Sequence, residues 1–166
     1  MTVIQRLIGE EEKMEATKII RLRSIKSVFE RQVIREDAPG YIITTRFTSP
    51  QQVFEMFLEL QCEAREHFIA LHLDGKNRIV CFDRVSVGSL NQSIVHPREV
   101  FKNALLSTAA SIILIHNHPT GDPTPSSEDI QITQRLVEGG KLLGVQVLDH
   151  IIIGAQYLSF AERGLL

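Results

Sequence analysis

The chain has 166 residues, 43% of them hydrophobic and 23% charged, with a formal net charge of −2. That is one domain's worth of chain, large enough to bury about two-thirds of its unfolded surface and to fold without a disulfide or a structural metal. The charge balance argues against a domain built mainly to grip phosphate backbone. No apolar run approaches the roughly 20 residues of a membrane span and no signal-peptide pattern opens the chain, so no membrane association is expected and the cytoplasm is the default.

Residues 1–40 read as an N-terminal helical arm and 41–166 as the main domain, divided at the charged, Pro/Gly-punctuated stretch 35–41. In the arm, Ile19, Leu22, Ile25, Val28 and Phe29 form a rough helical stripe, while Lys18, Arg21, Arg23, Lys26, Arg31 and Arg35 are opposed only by Glu30. Such cations usually make the solvated face of a packing helix, with a nucleic-acid patch as the alternative. Residues 48–66 predict a helix with Ser49 as N-cap, Pro50 at the first position and Gln52 completing a capping box; Val53, Phe54, Phe57 and Leu58 share a face, and the end falls near Glu66. Two strands then flank the turn residues Asp74 to Asn77, and further strand material runs from Val87 to Val95.

Pro97 opens a second helix with Val100, Phe101, Ala104 and Leu105 at helical spacing, and an apolar strand, 111–116, follows. Ser126 or Ser127 caps a third helix that runs to Leu143 and stops at Gly144, after which 145–154 is again apolar strand. Helices interleaved with strands of both kinds indicate an α/β domain, a mixed sheet flanked by helices. Cys62 and Cys81 lie far apart and outside any C-x-x-C spacing, which predicts buried thiols and neither a disulfide framework nor a cysteine zinc site.

Chemistry concentrates where the strand ends in His116, Asn117 and His118. Strand alternation turns both histidines to one face and Asn117 to the other, offering two imidazoles to one ion. A catalytic zinc needs a third protein ligand returning from elsewhere. The turn-rich segment 119–125 can reverse the chain, and Ser126 and Asp129, three apart in the first turn of a helix, then look back at the histidines. Each residue alone has an ordinary role: a satisfied strand histidine, a helix cap, a carboxylate at the positive end of a helix dipole. Together they favour zinc or another borderline divalent ion. On the adjoining strand Asp149 and His150 face opposite ways, so at most one of them can join the site, in a supporting part.

The pattern His116-Asn117-His118-Pro119, then Ser126 and Asp129, resembles the JAMM signature of MPN/JAB metalloproteases, and the stretches 96–105, 115–126 and 148–154 resemble the RadC family's version of that domain. The likeness covers roughly Phe47 to Leu166; the ending 159–166 and the lack of a preceding helix-hairpin-helix segment resemble short, YeeS-like members. The resemblance implies a JAB/MPN (cytidine-deaminase-like) mixed sheet with a Zn2+ site at a strand end and helix N-terminus, with His116, His118 and Asp129 as ligands. It also implies an upstream catalytic glutamate, matched by Glu66, with Glu63 competing. Zinc brings the pKa of its water near 7, Glu66 would take that proton and pass it to the leaving amine, and Ser126 would hydrogen-bond the oxyanion. The implied activity is cleavage of peptide or isopeptide bonds in a polypeptide substrate. A DNA-repair accessory protein that binds nucleic acid, with a structural metal, is the alternative the family name suggests. A contiguous His-Asn-His is not the dispersed nuclease motif of the same letters, an amidohydrolase barrel needs about 250 residues, and serine or cysteine hydrolase signatures are absent.

Overall fold

A computed structural model describes residues 28–32, 46–88 and 95–166. The boundary at 35–41, most of the strand expected over 87–95 and all of the arm except 28–32 lie outside the described residues. Residues 28–32 form no regular element, and Val28 and Phe29 are exposed.

Helix α1 (Pro50–Met56) starts as expected: the Ser49 side chain accepts from the Gln52 amide. Gln52 does not close a capping box, because its Oε1 accepts from the amide and hydroxyl of Thr48, one residue before the cap. The helix also stops well short of Glu66. At Phe57 (φ −108°, ψ 25°) the chain leaves α geometry and winds into a 3₁₀ turn, Leu58–Cys62. Burial supplies the reason. The side chains sealed against the sheet are Val53, Met56, Phe57 and Leu60, whereas Phe54 and Leu58 are half-buried; the three-residue period of the tighter turn brings Leu60 under Phe57.

Strands β1 (His67–Leu73) and β2 (Ile79–Val87) form the predicted hairpin, with Asn77 at φ 58°, a left-handed conformation that asparagine tolerates. Helix α2 (Pro97–Leu106) buries Val100, Phe101 and Ala104, but Leu105, expected on that face, is exposed. Strand β3 (Ser111–Asn117), helix α3 (Ser127–Leu143) and strand β4 (Gln146–Ile153) follow as read from the sequence, with Ser126 as the N-cap of α3 and Gly144 at φ 71° ending it. A short β5 (Tyr157–Ser159) and a one-turn α4 (Phe160–Arg163) close the chain and were not foreseen. Cys62, predicted buried, is exposed at the outer end of the 3₁₀ turn, and Cys81 is half-buried.

The strands make one mixed sheet in the order β2-β1-β3-β4-β5. Among the described strands only β3 and β4 pair in parallel, as their connection through the long helix α3 requires. Ile69, Leu71, Ile113, Ile115, Ile151 and Ile153 pack under α1 and the 3₁₀ turn; Phe68, Ala70, Ile112, Leu114 and Val147 pack on the other face against α2 and α3. Covered on both sides, β3 is buried along its whole length. Its carboxyl end and the N-terminus of α3 meet at one end of the central strands, the usual place for a site in a β-α-β unit. Among the described residues no helix is long and apolar enough to cross a membrane.

Candidate metal centre

Strand alternation continues past the end of β3, because the His118 amide donates to the Ile153 carbonyl on β4 at 2.8 Å. His116 and His118 therefore emerge on the same face, their Nε2 atoms 2.9 Å apart. The first turn of α3 brings Asp129 to them, Oδ1 at 3.2 Å from His116 Nε2 and Oδ2 at 3.4 Å from His118 Nε2. One ligand atom from each residue fits within a 4.8 Å cluster.

Hydrogen bonds behind the imidazoles determine which nitrogen faces the cluster. The Thr133 hydroxyl donates to the Asp129 carbonyl at 2.6 Å, so towards His150 Nδ1, also at 2.6 Å, it can only accept. His150 thus carries its proton on Nδ1, and its Nε2 accepts from His116 Nδ1 at 2.8 Å. That leaves His116 Nε2 as a bare lone pair. His118 reaches the same state more simply, because its Nδ1 lies 2.7 Å from the Asp122 carbonyl, which can only accept. Two lone pairs this close repel unless a proton or a metal ion lies between them. Around a tetrahedral ion with bonds of about 2.0–2.1 Å, ligand atoms sit about 3.3 Å apart, a spacing close to the three distances observed here. The donor set and its spacing fit a divalent ion.

Charge is arranged to match. When protons stand in the ion's place, burial would raise the Asp129 carboxyl, but hydrogen bonds from the protonated Nε2 of His116 and His118 and from Ser126 outweigh it and hold the group well below the usual carboxylate range. In that protonated form the hydrogen bond from Nε2 to Asp129 lifts His118 above its ordinary value against the effect of burial. Full burial, reinforced by the neighbouring His116, pushes His150 well down, so it stays the neutral member of the chain. Phe68 stacks on His116 with centroids 6.0 Å apart, and Phe160 stacks on His150 at 4.8 Å, closing the inner side with apolar rings.

Glu66 is not on a helix; it lies on the extended approach to β1, half-buried. Phe68 pairs with His116 across the antiparallel ladder, and Glu66, two residues before Phe68, is close enough to His118 for its charge to help raise the His118 pKa. Glu63 is turned away: half-exposed, it lies 3.5 Å from His67 Nε2. Ser126 is exposed beside the cluster. Its hydroxyl donates to Asp129 Oδ2 at 2.6 Å and accepts from the Asp129 amide, while Asp129 Oδ2 also accepts from the Ser126 amide, a complete capping box. Of the pair Asp149 and His150, His150 joins the site. Asp149 points through the other face, where it accepts from the Ser159 hydroxyl and the Ala161 amide. Sequence reasoning missed Thr133, although its place four residues after Asp129 on one helix face was a usable signal. The Asp122 carbonyl left no signal, since any residue type supplies one.

The sequence pattern of the RadC-like JAB domain matches residues 47–165. The chain belongs to the RadC-like JAB domain family. The mixed five-stranded sheet flanked by helices is consistent with a JAB fold. A UPF0758 protein of Pelobacter propionicus is 65% identical over 123 residues, covering 73% of this chain and 54% of that protein. A UPF0758 protein of Trichlorobacter lovleyi is 52% identical over 161 residues, covering 96% of this chain and 70% of its own length. One from the archaeon Methanosarcina mazei is 54% identical over 121 residues. This RadC-like chain spans about half the length of the first of these relatives, and their names state no activity.

Proposed function

We propose that this RadC-like domain is a zinc-dependent hydrolase of peptide or isopeptide bonds. The observation that carries the reading is the convergence of two imidazole lone pairs and a carboxylate, with both Nδ1 atoms already engaged. His116 and His118 would hold the ion through Nε2 and Asp129 through a carboxylate oxygen, a nitrogen and oxygen donor set suited to zinc. Zinc bound there supplies Lewis-acid polarisation of a scissile carbonyl and acidifies water. The remaining steps belong to the chain. The Glu66 carboxylate takes a proton from the attacking water and delivers it to the departing amine nitrogen. The Ser126 hydroxyl turns from Asp129 Oδ2 to the carbonyl oxygen as negative charge develops on it. Phe68 and the buried His150 keep water from the inner side of the site.

The test has two parts. Metal analysis of the purified protein should find about one zinc per chain, reduced in His118→Ala and Asp129→Ala. A peptide library and a lysine-isopeptide model compound, read by mass spectrometry, should show cleavage that stops on chelation and returns with added zinc. Undiminished zinc in Asp129→Ala would remove that ligand, and cleavage that persists in His118→Ala would overturn the reading.

A further inference from the structure

The side chain of the residue between the two histidines points away from the His116, His118 and Asp129 cluster, towards the segment that carries Glu66. Asn117 is fully buried. Its Oδ1 accepts from the His67 amide at 2.8 Å and its Nδ2 donates to the Arg65 carbonyl at 3.0 Å. These two backbone groups bracket Glu66. We propose that Asn117 is the positioning residue for Glu66, an inference that rests on the reading of Glu66 as general base.

The regular pairing of β1 with β3 begins at Phe68 opposite His116, so the backbone of 65–67 lies beyond the ladder. A carboxamide carries the same donor and acceptor as a peptide group. Asn117 uses both and adds one more rung where the main chain has stopped supplying them. From the other side the Gly88 amide donates to the Glu66 carbonyl at 2.8 Å. Glu66 is thereby held between β2 and β3 while its side chain stays free of structural bonds to Asn117. The period of two does the rest: one three-residue stretch sends two imidazoles to one face and, through the opposite face, fixes the segment that carries the carboxylate. A hydroxyl or a carboxylate at this position cannot span both groups in the same way, because serine has a single short arm and aspartate has no donor.

The test uses the full chain loaded with cobalt(II), whose visible absorption reports the ligand field and changes as the site titrates. Glu66→Gln, Asn117→Ser, Asn117→Ala and the double variant Glu66→Gln/Asn117→Ser are compared for cobalt affinity and for the pH midpoint of the spectral change. An anionic neighbour raises the midpoint, so Glu66→Gln should lower it by about one pH unit. Asn117→Ser and Asn117→Ala should lower it in the same direction, and the double variant should match Glu66→Gln alone, all with cobalt affinity retained. Independent, additive shifts, or a wild-type midpoint in a folded Asn117→Ser or Asn117→Ala protein while Glu66→Gln moves, would make Asn117 a packing residue only and overturn the inference. An unmoved midpoint in Glu66→Gln would overturn the base assignment and this inference with it, leaving the metal ligands standing on the zinc analysis.

Discussion

His116 offers its Nε2 because a threonine two partners away has already given its only proton to a helix carbonyl. Thr133→Val removes the acceptor for His150 Nδ1 and frees His116 to change tautomer. Loss of such an outer partner costs about 10–100-fold in metal affinity, so competition against a chelator should show a drop of that size with the fold intact; unchanged affinity would mean the chain of hydrogen bonds does not govern the ligand. The proposed general base separates from the ligands differently. Glu66→Gln should keep its zinc and lose about 10²–10⁴ in kcat, the usual worth of general acid–base assistance, whereas full activity there would shift attention to another carboxylate. A third expectation concerns pH. His72 is buried on the α2 side, with Nδ1 2.8 Å from the Ser107 hydroxyl and Nε2 without a partner among the described residues. Burial lowers its pKa from 6.5, with Asp83 opposing more weakly. The unfolded chain therefore binds a proton that the folded one refuses, and stability should fall as pH drops below about 6.5 towards the depressed folded value. Melting temperatures of His72→Gln should show a shallower slope across that window; an identical slope would assign the effect elsewhere.

The β3-α3-β4 unit was largely legible because its signals are local: a run of aliphatic residues, a serine followed by an acid three residues on, and a glycine that ends the helix. The break at Phe57, the outward turn of Leu105 and the short β5 and α4 were not, since each depends on which surface the sheet presents, and that is decided by residues distant in sequence. The same holds within the site. His116, His118 and Asp129 are grouped by spacing alone, while the Asn117 clamp spans 50 residues or more of chain and the His150 contact 34. Elements also meet where a side chain would not fit. A Cβ on Gly154, just after β4, would collide with the Gly121 carbonyl and crowd Pro123, in the loop whose Asp122 carbonyl orients His118. Gly154→Ala should cost about 1–3 kcal/mol in denaturant unfolding and weaken metal binding too. Gly75→Ala, where nothing lies within 4 Å, is the control; equal effects from both would discredit the packing explanation.

At the scale of the molecule, two apolar layers sandwich the sheet, and the ligand atoms belong to neither. Chelation should accordingly lower the melting temperature, as removal of any ligand of the native state does, but leave the far-ultraviolet circular dichroism unchanged at room temperature. Collapse of that spectrum would make the metal structural.

The centre also draws on parts that open on different timescales. His116 belongs to the middle strand of five, paired on both sides, and such a strand separates only when the whole sheet does. Asp129 sits in the first turn of α3, secured by the reciprocal bonds of its cap, and helix ends fray readily. An ion would then leave through the helix end, with the imidazoles waiting in place for the next. Its residence time would be set by the lifetime of one capped turn, and the stability of the sheet would hardly enter.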